Sequence, residues 1–440
     1  MDRFKRTNLS NHSAELLLGE HLSQPRPFGF NLDRQPARRD DLILYSGGGH
    51  LCTVAPTRAG KGTGAIVPNL LHYRGPVIVF DPKGENYSVT ARARQQMGHT
   101  IVKLDPFGIA GEATDAINPL DALLLPNADA ETDSQTLAET FSRGMKGTKE
   151  PFWDNSAVSL LAALIMAAAT RTAPHRSLSW AFDMLSSDDV VYGIAKFLDE
   201  SGKQIPASAY REIASFLQIT DVTRSGILST TQAYVKMLGS ARVRRSFEQS
   251  TFSLQDIVAG KPLSIYMILP SERIESHSSL LKLWLATFFK AILARRVQPP
   301  QKTLVLLDEA GQLGGFPFLE TMATLCAGYG LWLWLIYQDL AQLQAAFPQS
   351  WRTILNNCGV LQVFGMNNRQ MASAWAECLD SSANELRKLP ADEQMLLIQG
   401  HGEIRSRRIN YLTDRRFRGS FDANTLFGAA GNDAAASQLP

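Results

Sequence analysis

Residues 51–62, LCTVAPTRAGKG, constrain the fold of this chain more than any other stretch. A short apolar run predicts a buried strand. It leads into a loop of small residues that ends in Gly60-Lys61. Such a strand–loop–helix junction turns backbone N–H groups toward a polyphosphate and lets the Lys reach the outer phosphates. A second apolar run far downstream, residues 303–311 (TLVLLDEAG), ends in Asp308-Glu309. Asp308 can serve Mg²⁺ through a water, and Glu309 can polarise the attacking water. Together the two segments predict an ATP-hydrolysing site with ATP and Mg²⁺ as its cofactors.

Strand and helix patterns alternate around these segments. Short apolar runs at 51–55, 77–80, 100–104, 263–269, 304–307, 331–337, 360–364 and 395–399 are bounded by Gly, Pro and polar residues, as in strands buried on both faces. The stretch 65–73 predicts the crossover helix of a βαβ unit, kinked by Pro68. From 134 to 249 the strand signals stop and helical patterns take over. The expected fold is therefore α/β: a RecA-like P-loop nucleotide-binding domain with a mostly parallel sheet, residues 42–133 and 250–428, and an inserted all-α domain, residues 134–249. Residues 1–41 are expected to be a polar lead-in packed loosely on the first domain, and 429–440 a flexible tail.

Composition bounds the remaining choices. With 45% apolar and 20% charged residues among 440, the chain should bury a large core. The net charge of +2 makes no global case for nucleic acid, so such a case rests on local clusters. Those are Arg242/Arg244/Arg245, Arg295/Arg296, Arg405/Arg407/Arg408 and Arg415/Arg416/Arg418, which suit either DNA phosphates or intramolecular ion pairs. Cys52, Cys326, Cys358 and Cys378 are scattered without metal-ligand or disulfide spacing, which fits a reducing cytosol, and the dispersed histidines predict no zinc site. The first 22 residues have no apolar segment of the signal-peptide kind. The apolar run 157–169 is shorter than the ~20 residues of a membrane-spanning helix, so no transmembrane segment is expected.

The phosphate-loop pattern G-x-x-x-x-G-K-[ST] is met with two departures. Ala55 stands at the first Gly, and Gly62 stands where Ser or Thr would meet Mg²⁺. Thr63, Thr57 or a water is then left to supply that oxygen. Thr57, Arg58, Ala59, Gly60, Lys61, Gly62 and Thr63 are the expected phosphate-binding residues, with Asp308 and Thr63 on the metal. Asp81 and Glu85, in DPKGE at the end of the strand 77–80, reach the same sheet edge, where ligands of open α/β sheets collect. Gln338, ending the strand 331–337, can bond a γ-phosphate or the attacking water. Glu309, Lys61 and Gln338 are the catalytic candidates. A ring-shaped ATPase also needs an arginine from a neighbouring subunit, for which Arg352, Arg369 and Arg387 are candidates. Phe152-Trp153, opening a helix, suits core packing better than base stacking.

The order and spacing of APTRAGKGTG, VIVFDPKGEN, FWDNSA, LLDEAGQLG, YQDLAQL and NNCGVLQVFG resemble the type IV secretion coupling proteins, the TraG-like ATPases of conjugation and effector export. The resemblance covers about residues 44–417. It implies that Lys61 binds phosphate, that Asp308 and Glu309 serve Mg²⁺ and water, and that Gln338 couples hydrolysis to motion. The GKG form of the loop is common in this family. The implied partners are type IV secretion channel components and a relaxase–DNA complex or effector proteins, with non-specific DNA binding and a hexameric homo-oligomer. Most members begin with transmembrane helices, whereas this chain reaches its phosphate loop without one. The expectation is a soluble form, cytoplasmic and peripheral at the inner face of a bacterial inner membrane, with a separate membrane subunit or a shortened chain left open. Two other functions fit the same motifs: a cytosolic HerA/FtsK-like DNA-translocating ATPase, and a nucleotide-binding docking adaptor with little turnover.

Overall fold

The structure, a computed structural model, describes residues 14–22, 41–142, 151–173 and 175–424. These fall into two compact units: residues up to 103, 260–268 and from 297 onward in the first, and 104–259 with 269–296 in the second.

The first unit is built on strands β1 (Leu16–His21), β2 (Leu42–Tyr45), β3 (His50–Val54), β4 (Val77–Phe80), β5 (Thr100–Leu104), β6 (Leu263–Met267), β7 (Thr303–Leu307), β8 (Leu331–Tyr337), β9 (Cys358–Val363), β10 (Glu393–Ile398) and β11 (Gly402–Arg407). They form one sheet in the order β2-β1-β11-β10-β9-β3-β8-β7-β4-β6-β5. The centre is parallel: β3 pairs with β8 and β9, β7 with β8 and β4, and β4 with β6. Every residue of β3, β4, β7 and β8 is buried, which is why these strands read as unbroken apolar runs. Since β3, β8, β7 and β4 are neighbours and parallel, the residues that follow them leave the sheet at one edge.

The other side of the sheet is antiparallel, through β9, β10, β11, β1 and β2. The connection from β10 to β11 is three residues long, with a left-handed Gly400 inside it and a left-handed Gly402 opening β11. A loop that short can only return the chain antiparallel. A row of buried polar side chains runs from the parallel centre into this half of the sheet. Trp334 Nε1 donates to Thr53 Oγ1 at 2.8 Å, Thr53 to Gln362 at 2.6 Å, and Gln362 to Gln394 at 2.7 Å. Gln394 donates in turn to the Leu18 carbonyl at 2.7 Å.

Leu16–His21 corrects the expectation of a loosely packed lead-in over 1–41. Leu16, Leu17 and Leu18 are buried, and Leu17 exchanges two 2.8 Å hydrogen bonds with the amide of Asn69. The polar residues around the Leu triplet masked a strand that a buried amide holds in register. Residues 1–13 and 23–40 and the tail 429–440 lie outside the described residues.

The helix after the phosphate loop begins at Lys61 and runs as a π-turn, Gly62–Ile66, into α1 (Val67–His72). The π-helical segment precedes Pro68, the residue expected to kink this helix. Pro68 stands in the first turn of α1, where its missing N–H costs least. Helix α2 (Glu85–Gln96) follows β4.

The second unit is helical: α3 (Ala130–Ser142), α4 (Pro151–Ala169), α5 (Leu178–Leu185), α6 (Val190–Ser201), α7 (Ala207–Gln218), α8 (Asp221–Val235), α9 (Ala241–Glu248), α10 (Leu254–Val258) and α11 (Ser271–Leu293). Its bounds are wider than the 134–249 read from the sequence. Helix α11 belongs here and packs on α3 and α10. Helix α4 packs against α3, α7 and α8. It is the one helix among the described residues long and apolar enough to cross a membrane by length and composition. Its apolar half, Ala157 to Ala168, is buried nearly all round, as in the core helix of a globular unit. Trp153 lies against Gly226, where an added Cβ would come within 2.5 Å of the indole, while Phe152 stays 55% exposed.

Candidate nucleotide-binding site

The phosphate loop leaves β3 and bends back through two left-handed residues, Arg58 (φ 65°) and Gly60 (φ 84°). Only Gly takes that conformation without a Cβ penalty. Thr57 and Arg58 are exposed, and Ala59, Gly60, Lys61, Gly62 and Thr63 are half-buried. Lys61 Nζ donates to the Ala55 carbonyl at 3.1 Å and lies 3.4 Å from Glu309 Oε1. Thr63 Oγ1 donates to the Gly60 carbonyl at 3.3 Å. A Cβ on Gly62 would meet nothing within 4 Å, so space does not dictate glycine there.

Asp308 and Glu309 follow β7, and Gln338 follows the adjacent β8. Gln338 Nε2 donates to Glu309 Oε2 at 2.7 Å. The Glu309 carboxylate is thus held between Lys61 and Gln338, three residues far apart in sequence. Glu309 is in the left-handed region at φ 58°, ψ 44°. Among the described residues, three non-glycines have positive φ, and two of them, Arg58 and Glu309, lie in this site. Backbone strain of this kind, of order 1–3 kcal/mol, gathers at functional sites. The sequence did not point to the support behind Gln338: Gln342 Oε1 accepts the Gln338 backbone N–H at 2.9 Å, and Asp339 caps the helix that carries Gln342. The four-residue spacing within QDLAQ was the available signal.

Asp81 follows β4, and the register pairs Phe80 with Leu307, so Asp81 and Asp308 stand side by side. Asp81 is buried and accepts the Tyr87 N–H at 2.9 Å, which ties down the start of α2. Burial pushes its carboxyl up to about 6, against the pull of its backbone N–H bonds. Glu85, half-buried in the first turn of α2, acts on Asp81 by like charge. Burial, and then Glu309, push Asp308 up to about 7, with Lys61 pulling the other way. Asp308 Oδ1 is buried without a hydrogen-bond partner. An orphaned carboxylate oxygen beside a phosphate loop is what a hydrated Mg²⁺ would satisfy, since Mg²⁺ is usually held by one or two carboxylates and substrate phosphates. The residues present therefore fit the metal.

A carboxyl raised in the folded state costs stability above its unfolded pKa. Asp308 should therefore make the nucleotide-free protein less stable as pH rises from about 4 toward 7. Asp308→Asn removes that cost. Thermal denaturation without nucleotide should show the variant more stable by about 2–4 kcal/mol near pH 8, with a flatter pH slope, while Mg²⁺-dependent hydrolysis is lost. An unchanged or lower melting temperature near pH 8 would mean that the carboxylate is already compensated.

The basic clusters are largely spent within their own units. Arg405 pairs with Glu393 at 2.5 Å, Arg416 with Glu20 at 2.6 Å and with Asp414, and Arg244 with Asp183 at 3.0 Å. Arg295 donates to the Ile257 carbonyl at 2.8 Å. Arg415 and Arg418 are exposed, as are Arg352, Arg369 and Arg387. All four cysteines are free thiols.

On this sheet the site is that of a P-loop nucleotide-binding protein with a RecA-type fold. A family model, type IV secretory system conjugative DNA transfer, matches residues 26–377, and the chain belongs to that family. Protein VirD4 of Agrobacterium fabrum is 26% identical over 417 residues, covering 85% of this chain and 60% of VirD4. The conjugal transfer protein TraG of Escherichia coli is 25% identical over 353 residues, covering 75% of this chain and 54% of TraG. The chain thus spans 54–60% of the length of these relatives. Plasmid coupling protein TrwB, solved with ADP and Mg²⁺, superposes with a TM-score of 0.65 at 14% identity, over 92% of this chain and 97% of that one. VirB4 of Thermoanaerobacter pseudethanolicus gives a TM-score of 0.56 at 14% identity, over 90% and 97%. The fold is TrwB-like.

Proposed function

We propose that this protein is an ATP-hydrolysing coupling protein that receives DNA-bound or protein cargo and delivers it to a type IV secretion channel. The observation that carries the ATPase is the Glu309 carboxylate between Lys61 and Gln338. Lys61 is poised to exchange Glu309 for the outer phosphates. Glu309, released, takes a proton from the water that attacks the γ-phosphorus, and the products are ADP, phosphate and a proton. Gln338, its backbone held by Gln342, orients that water or the γ-phosphate and passes the change to the helix Leu340–Ala346. Asp308 and Thr63 would hold Mg²⁺, which neutralises phosphate charge.

Family membership and the relatives' names, the conjugal transfer protein TraG and the type IV secretion system-coupling protein VirD4 of Bartonella quintana, support the coupling role. In this role the first unit assembles as a homo-oligomeric ring, and the helical unit contacts relaxase–DNA or effector cargo. The ring works at the inner face of the inner membrane, with a membrane anchor supplied by a further segment or subunit. The test is mass measurement of the purified protein with ATP and Mg²⁺, with and without DNA, alongside ATPase rates. Ring-sized particles with DNA-stimulated turnover are expected. A monomer under all conditions would remove the ring, and turnover indifferent to DNA would leave protein as the cargo.

A further inference from the structure

We propose that Arg408 is a positioning residue that holds the phosphate loop in its anion-binding form; this rests on the nucleotide site described above. Arg408 stands just beyond β11, on the far side of the loop from Glu309's strand in sheet order. Its Nη1 donates to the Ala59 carbonyl at 2.5 Å, and its Nη2 donates to the Ala391 carbonyl. The guanidinium lies over the Phe364 ring, 4.4 Å from its centroid.

The peptide between Ala59 and Gly60 is planar, with its C=O and N–H pointing opposite ways. Fixing the Ala59 oxygen on Arg408 therefore turns the Gly60 N–H to the other side of the loop. Gly60, at φ 84°, has no Cβ to limit rotation of that peptide. An added Cβ there would come 3.2 Å from Arg408 Nη1, a measure of how closely the guanidinium covers the loop. Its neighbours continue the contact. The Tyr411 N–H donates to the Thr63 carbonyl at 3.2 Å, and the Ile409 carbonyl would sit 3.1 Å from a Cβ on Gly64. The strand β11 thus delivers a four-residue segment along the loop and the first turn of its helix. Arginine suits the position because its planar fork serves two carbonyls at once and stacks on a ring, which an ammonium cannot do. Its fixed positive charge also lies beside the loop that takes the phosphates.

The test compares Arg408→Ala, Arg408→Lys, Arg407→Ala and Lys61→Ala with the parent. Arg407 is the neighbouring control, 3.6 Å from Asp392. Two quantities are read: affinity for a fluorescent ADP analogue, and amide hydrogen exchange in the peptide covering residues 55–62. Arg408→Ala should bind about 10-fold or more weakly and exchange faster in that peptide, Arg408→Lys should recover part of both, and Arg407→Ala should match the parent. Parent-like affinity and exchange in Arg408→Ala would overturn the assignment. If Lys61→Ala loses affinity while Arg408→Ala does not, the brace fails and the nucleotide site stands. If Lys61→Ala also binds like the parent, the nucleotide site itself fails. Should Arg408→Ala not fold, Arg408→Lys decides: a weaker affinity with faster exchange supports the brace, and parent-like values overturn it.

Discussion

Glu309→Gln should bind a fluorescent ATP analogue at least as tightly as the parent and hydrolyse ATP on the order of 10²–10⁴ times more slowly. The substitution keeps the shape of the side chain and its hydrogen bond to Gln338, and removes the charge that Lys61 faces across 3.4 Å. Lys61 then meets no competing carboxylate when phosphate arrives, so affinity should hold or rise. What is lost is the base that takes the water's proton. Phosphate release measured beside an analogue titration separates the two effects. Hydrolysis at the parent's rate would place water activation on another group. If the parent itself turned over no faster than the variant, the protein would act as a nucleotide-binding adaptor.

Lys61→Ala should lower affinity for the same analogue by at least about 100-fold. The ammonium supplies charge-assisted hydrogen bonds to phosphate, worth about 1.5–3 kcal/mol each. Its removal has a second consequence in this site. Asp308 and Glu309, with Asp81 beside them, are left at one sheet edge without the cation that now acts on both. They would repel an incoming triphosphate. Both effects act in one direction, which makes this the largest expected loss of binding. A melting temperature that no longer rises with ATP and Mg²⁺ would confirm it. Unchanged affinity would remove the phosphate-loop assignment.

Local sequence carried a good part of this molecule. Strands β3, β4, β7 and β8 are legible because both of their faces are buried, so they are apolar without a break. Asp308-Glu309 and Gln338 are legible because each directly follows such a strand, and Gly60-Lys61 because it closes the loop that leaves one. Strand β11 was not legible: of GEIRSR only Ser406 is fully buried, and its charged neighbours look like a surface loop. Strand β1 was hidden for a related reason, its Leu triplet lying within a polar stretch. Helix α11 shows the limit on boundaries, since nothing in a helical pattern says which of two units it will pack against.

What the sequence by itself determined is the chemistry: a phosphate loop, a pair of acids and a glutamine, each tied to a strand end by hydrophobic pattern and local turn geometry. Only the tertiary structure decided their meeting. Strand order sets β3, β8, β7 and β4 side by side and parallel, which brings Lys61, Gln338, Glu309, Asp308 and Asp81 to one edge. It likewise decided that Arg408, one of three arginines in a basic cluster, turns onto the Ala59 carbonyl. Hydrogen-bond partners hundreds of residues apart are chosen by how strands pack, and no local pattern encodes that choice.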